Sequence, residues 1–165
     1  MTETIKIRGI EVEDFCNYKE PAMFIITSYC DFKCCHEGGF PEEWCQNEPM
    51  LQNTTPRDIS LNKIIKAYMN NEITEAVLFG GMEPMLQFEE VLSFIDHLRK
   101  LGCEDPVIIY TGYYKDEIAE QVGQLKQYKN IIIKYGRYIP NDDPHFDEVL
   151  GVVLASNNQY AERIS

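Results

Sequence analysis

The sequence predicts one α/β domain built on a mainly parallel sheet. Three observations lead there. Short apolar runs alternate with segments of helical period. Several of those runs end at glycine. One long stretch, residues 28–57, is rich in cysteine and shows no period. Strands alternating with helices mark βαβ units, with a parallel sheet inside and helices outside. Ligands of such sheets bind beyond the carboxyl ends of the strands.

The elements follow in order. Residues 4–8 (TIKIR) read as an edge strand, and residues 22–27 (AMFIIT) as the first buried strand. After the cysteine-rich stretch, Ile59, Ile64, Ile65, Tyr68 and Met69 fit one face of a helix. Residues 74–79 (TEAVLF) form the next strand and stop at Gly80-Gly81. Phe88, Val91, Leu92, Ile95, Leu98 and Leu101 make a second helical face, and Gly102 is placed to end it. Residues 106–111 (PVIIYT) stop at Gly112. Ile118, Val122 and Leu125 mark a third helix, and residues 130–135 (NIIIKY) a fourth buried strand that stops at Gly136. Residues 149–154 read as a further edge strand.

Bulk properties narrow the function. At 165 residues one domain, 1–165, is expected, with the cysteine stretch as its loop. The formal net charge of −12 repels phosphate backbones, which argues against a nucleic-acid partner. No apolar run reaches 18 residues, so no membrane span is expected. The N-terminus lacks a basic start followed by an apolar stretch, so a cytoplasmic protein is expected. Thiols stay reduced there, and a tight cluster of them points to metal or redox chemistry.

That cluster is CDFKCCHEGGFPEEWC, residues 30–45, which holds four of the six cysteines. A loop this long inside a compact domain is usually functional. Structural zinc prefers two cysteine knuckles, or one knuckle and a histidine pair. Here Cys30 and Cys34 make one CxxxC hook, Cys34 and Cys35 are adjacent, and Cys45 stands alone. An iron–sulfur cluster, held by thiolates, fits better. Three thiolates on a four-iron cluster leave one iron open. His36 reads as solvated, and Cys16 and Cys103 as small packing side chains.

Several segments in order resemble the radical S-adenosylmethionine superfamily, and more narrowly the activating proteins of anaerobic (class III) ribonucleotide reductase. They are Cys30-x3-Cys34, Gly80-Gly81-Met82-Glu83-Pro84, Tyr110-Thr111-Gly112-Tyr113, Lys134-Tyr135-Gly136-Arg137-Tyr138 and Ala155-Ser156-Asn157-Asn158-Gln159. The resemblance spans about residues 22–159. It implies a partial, open βα barrel of the radical S-adenosylmethionine type. It implies a 4Fe-4S cluster and S-adenosyl-L-methionine as cofactors, with reductive cleavage of the latter and a glycyl radical raised on the catalytic subunit of an anaerobic ribonucleotide reductase. It implies a cluster of low potential, toward the bottom of a range of roughly −700 to +450 mV, and so a reductant such as flavodoxin. Gly80, Gly81, Met82, Glu83, Thr111 and Tyr113 become the expected cofactor-binding residues. Lys134 and Arg137 either meet the cofactor carboxylate or lie on the surface, the surface being the expectation. The alternatives are a radical enzyme acting on a small molecule, and a non-catalytic protein that keeps the fold and binds metal.

One position departs from the family pattern CxxxCxxC: Glu37 stands where the third cysteine belongs. Cys30, Cys34 and Cys45 are the expected ligands, with Cys35 beside them and the rival for third place. Successive side chains tend to diverge, which disfavours Cys34 and Cys35 on one centre. Gly38 and Gly39 let the chain turn back to bring Cys45 in. Lengthening the closed segment from two intervening residues to ten costs only about 1.4 kcal/mol. Metal–thiolate binding contributes on the order of 10 kcal/mol, so coordination wins.

Overall fold

The computed structural model describes residues 2–165. Among these residues nine strands form, β1 (Thr4–Asp14), β2 (Ala22–Thr27), β3 (Arg57–Ser60), β4 (Ala76–Gly80), β5 (Val107–Tyr110), β6 (Ile131–Tyr135), β7 (His145–Asp147), β8 (Val152–Leu154) and β9 (Tyr160–Arg163). Seven of them make an open sheet in the order β3-β1-β2-β4-β5-β6-β9. Its centre, β2-β4-β5-β6, is parallel. Its flanks, β3-β1 on one side and β9 on the other, run antiparallel to their neighbours. β7 and β8 form a separate hairpin.

The period of two along the central strands decides what each face does. Odd-numbered residues, among them Met23, Ile25, Val77, Phe79, Val107, Ile109, Ile131 and Ile133, face the helices and form the larger core. Three helices supply its other side: α3 (Leu61–Met69), α4 (Phe88–Lys100) and α5 (Ala119–Leu125). Phe79 meets Phe94 edge to face at 5.2 Å. Even-numbered residues, Ala22, Ala76, Leu78, Ile108 and Ile132, form a smaller core with Tyr18, Leu150 and Leu154. Helices therefore cover one face only, and the other lies under the segment after β1 and the chain around the β7–β8 hairpin. No helix among the described residues is long and apolar enough to cross a membrane.

Several expectations change. The N-terminal strand runs eleven residues, well past Arg8. Ile59 lies in β3, just before α3 begins, because it pairs with Ile5 across β1. Met69 and Leu101 end their helices exposed. The C-terminal edge of the sheet is β9, whereas Val152–Leu154 belongs to the hairpin. The cysteine stretch contains α1 (Lys33–Gly38), a 3-10 turn (Glu42–Trp44) and α2 (Glu48–Asn53).

Candidate iron–sulfur and cofactor site

Beyond the carboxyl ends of β2, β4, β5 and β6 the chain leaves a cavity of about 390 Å³ on the helix-free side of the sheet. Cys30, Cys34, Cys35 and Cys45 all line it. So do Gly81, Met82, Glu83 and Thr111. Of the expected site residues, Gly80 and Tyr113 are not brought to it. Gly80 is a packing glycine, since a Cβ there would sit 3.1 Å from the Phe24 ring and 3.3 Å from Tyr110 Cβ. Tyr113 lies behind the wall, with its hydroxyl on Asp31 and its ring under Lys33 Nζ at 4.8 Å.

Glu83 organises the strand-end wall. It is 5% exposed and accepts three hydrogen bonds. Met85 N and Thr111 Oγ1 donate to Oε1 at 3.0 and 2.8 Å, and Gly112 N donates to Oε2 at 2.8 Å. The β4 and β5 turns are thus locked together through one carboxylate. Its backbone N–H donates to Tyr29 O at 2.7 Å, which fixes the start of the cysteine loop. Burial raises the Glu83 carboxyl above its usual range, while its hydrogen bonds and Lys134 oppose that rise. Gly81 turns the chain at φ +82°, and a Cβ there would meet Ile26 Cγ2 at 2.5 Å, so only glycine fits.

Lys134 and Arg137 are both buried, against the expectation of a surface position. Arg137 is fully engaged. It pairs with Glu117 (2.6 and 2.7 Å) and Glu37 (2.8 and 3.0 Å) through two-point contacts, and Nη1 donates to Gly112 O at 2.8 Å. That gives Glu37 a role: where the resembled CxxxCxxC pattern has a thiol, this chain has a carboxylate turned to Arg137, tying α1 to the end of β6. Arg137 holds Glu117 down to about 2 and lowers Glu37 too. Lys134 has no carboxylate within ion-pair range among the described residues. Its Nζ reaches only Thr111 O and Gly136 O, at 3.5 and 3.4 Å, and it lines the cavity. Burial lowers it to about 8, so it remains mostly charged at neutral pH.

The thiols sit in graded surroundings. Phe32 N donates to Cys30 Sγ at 3.3 Å, from a residue held in the left-handed region at φ 54°. Tyr138 N donates to Cys34 Sγ at 3.4 Å, and a Cβ on Gly112 would come within 3.4 Å of that sulfur. Burial pushes the Cys30 thiol up to about 12 and the Cys35 thiol up to about 11, with Cys45 as the next cause for the latter. Burial raises Cys34 as well, opposed by the Tyr138 amide and by Lys134 and Arg137. Raised thiols hold their protons more tightly, and a metal must displace them to bind. Among the described residues no three His, Cys, Asp or Glu side chains converge on one ion. Thiols spread around one buried cavity suit a cluster, in which each thiolate takes a different iron, better than one tetrahedral zinc.

Tyr138 and Gln159, present in the resembling segments but not among the expected site residues, also line the cavity. Gln159 lines the cavity and ties the C-terminal ASNNQ segment to Gly136 O at 3.3 Å and to Ser156 N at 3.2 Å. Lys134, a cation inside the otherwise apolar run IIIKY, is a further signal in the sequence.

No curated protein matches the chain. A family model described as a 4Fe-4S single cluster domain matches residues 22–159, which takes in the cysteine loop and every strand-end segment around the cavity. By that match, and with four thiols lining one cavity, the chain belongs to the 4Fe-4S single cluster domain family.

Proposed function

We propose that this protein is a radical S-adenosylmethionine activase. In this reading it holds a 4Fe-4S cluster on Cys30, Cys34 and a third thiolate, binds S-adenosylmethionine beside it, and raises a glycyl radical on an anaerobic ribonucleoside-triphosphate reductase. The observation that carries the reading is the shared cavity: the cysteine loop and the GGMEP, YTG and KYGR turns, ordered as in that family, meet on it. The cluster, when bound and reduced by a donor such as flavodoxin, supplies the electron for cleavage of the cofactor.

The chain's own residues do the rest. Gly81 and Met82 line the cavity where the cofactor would approach. Glu83 accepts from Met85, Thr111 and Gly112, and so holds the turns in place. Lys134, a buried cation with no carboxylate in ion-pair range among the described residues, would meet a cofactor carboxylate, since Arg137 is committed to Glu37 and Glu117. Phe24 and Tyr110 give the cavity an apolar wall that excludes water. The open edges of the sheet suit a protein loop as substrate better than a small molecule.

The test is anaerobic reconstitution, reduction and addition of S-adenosylmethionine. The reduced-cluster resonance shifts on binding, and a glycyl-radical signal appears when the cognate reductase is added. Lys134→Met weakens cofactor binding at least about tenfold with the cluster retained, as expected on loss of a buried charged partner. A cluster spectrum indifferent to S-adenosylmethionine contradicts the proposal.

A further inference from the structure

Glu37 leaves the family's third-thiolate position without a thiol, and two cysteines on the cavity could replace it. We propose that Cys45 is the third cluster ligand and that the cluster staples residues 39–53 onto the body of the protein. The inference rests on the cluster reading above.

The two cysteines differ in why they are where they are. Cys35 has a packing reason. It is 2% exposed, and its carbonyl accepts the N–H groups of Gly39 and Phe40 that close α1. A small buried side chain suffices to explain it. It also leaves the helix in a different direction from Cys34, about 100° around the axis. Glu37, on the same helical face as Cys34, is already held by Arg137.

Cys45 has no such reason. It lies between a 3-10 turn and α2, and neither of these buries a single residue. Neither has a side-chain cap at its N-terminus. The segment touches the rest of the chain through Phe40, edge-on to Tyr138 at 6.4 Å, through exposed Glu42, whose Oε1 lies 3.1 Å from His36 Nε2, through Met50 beside Gly81, and near its end through Arg8 Nη1, which donates to Thr54 O at 3.1 Å. Trp44 stacks on Phe40 yet stays 59% exposed. A segment with so little core is held weakly by its own contacts. Yet its cysteine lines the cavity with Cys30 and Cys34. Coordination supplies the missing tie, because metal binding to such a site is also folding energy.

The experiment is hydrogen exchange with mass spectrometry on peptides covering residues 39–53. It compares metal-free and anaerobically reconstituted full-length protein, with iron and labile sulfide assayed in the same samples. Cys35→Ala and Cys45→Ala are compared with the parent, and Cys45→Ser guards against a folding artefact. Loading slows exchange in this segment at least about tenfold in the parent and in Cys35→Ala. In Cys45→Ala and Cys45→Ser the slowing disappears and bound iron falls. Full iron with protection in the Cys45 variants overturns the assignment. So does loss of the cluster in Cys35→Ala, or a loaded parent whose segment exchanges as before. A parent that takes up no cluster sinks the functional reading first, and is thereby distinguished from failure of the ligand assignment.

Discussion

The two walls of the cavity are built in opposite ways. The strand-end wall is complete before any ligand arrives. Its carboxylate, Glu83, has three donors, and its buried arginine has two carboxylates and a carbonyl. The facing wall, residues 39–53, is two short helical turns with nothing buried in either. The strand-end side is therefore preorganised by hydrogen bonds, and the side that carries Cys45 is not. In a protein that must take up a cluster, a wall that can yield on one side gives the cluster a way in, while the other side keeps the geometry.

The largest effect expected from this contrast is at Glu83. Glu83→Ala strips three buried or partly buried donors of their acceptor. It should cost about 2–4 kcal/mol in the metal-free protein, seen as a lower denaturation midpoint. A cost below about 1 kcal/mol means the wall is not held as described.

The Arg137 clamp gives a smaller effect, readable by pH. Glu117 falls from 4.5 to about 2 on folding, and Glu37 shifts the same way. A depressed carboxylate stabilises fully above its unfolded value and loses that contribution as pH falls through the folded one. Melting temperatures from pH 7 to pH 2 should show a gap between the parent and Glu117→Gln that closes below pH 4.5. Glu83 works with the opposite sign. Its raised value favours the fold at pH below 4.5 and is lost as pH rises through that value, so the comparison must be a difference against Glu117→Gln. A gap that stays constant with pH removes the clamp.

The smallest effect belongs to the other wall. Trp44→Ala in the metal-free protein should change stability by no more than about 0.5 kcal/mol, because the turn carrying Trp44 buries nothing. A loss above about 1 kcal/mol, by chemical denaturation, reveals a core in this segment.

The same contrast governs what could be read from the sequence. β2 is readable to the residue, and β4, β5 and β6 within two, because strands covered on both faces are continuous apolar runs. β9 escapes, since YAER has only Ala161 to bury and is a strand by virtue of pairing with β6. Ile59 misleads because β3 runs directly into α3, so one apolar residue fits both periods. The strand-end motifs are legible as one site because parallel strands present their carboxyl ends to the same edge. Lys134 reads as exposed by residue type, but the even face of β6 lies beneath other chain. The thiol side is legible only as a set of four, because the turn that returns Cys45 is fixed by neither a period nor a core.

The most direct test of the central claim is iron and acid-labile sulfide per chain after anaerobic reconstitution of the parent, Cys30→Ala and Cys34→Ala. The account predicts about four of each in the parent, with the spectrum of a single 4Fe-4S cluster, and loss of both in either variant. One tightly bound metal ion without sulfide, or a cluster untouched by removal of Cys30 and Cys34, contradicts it.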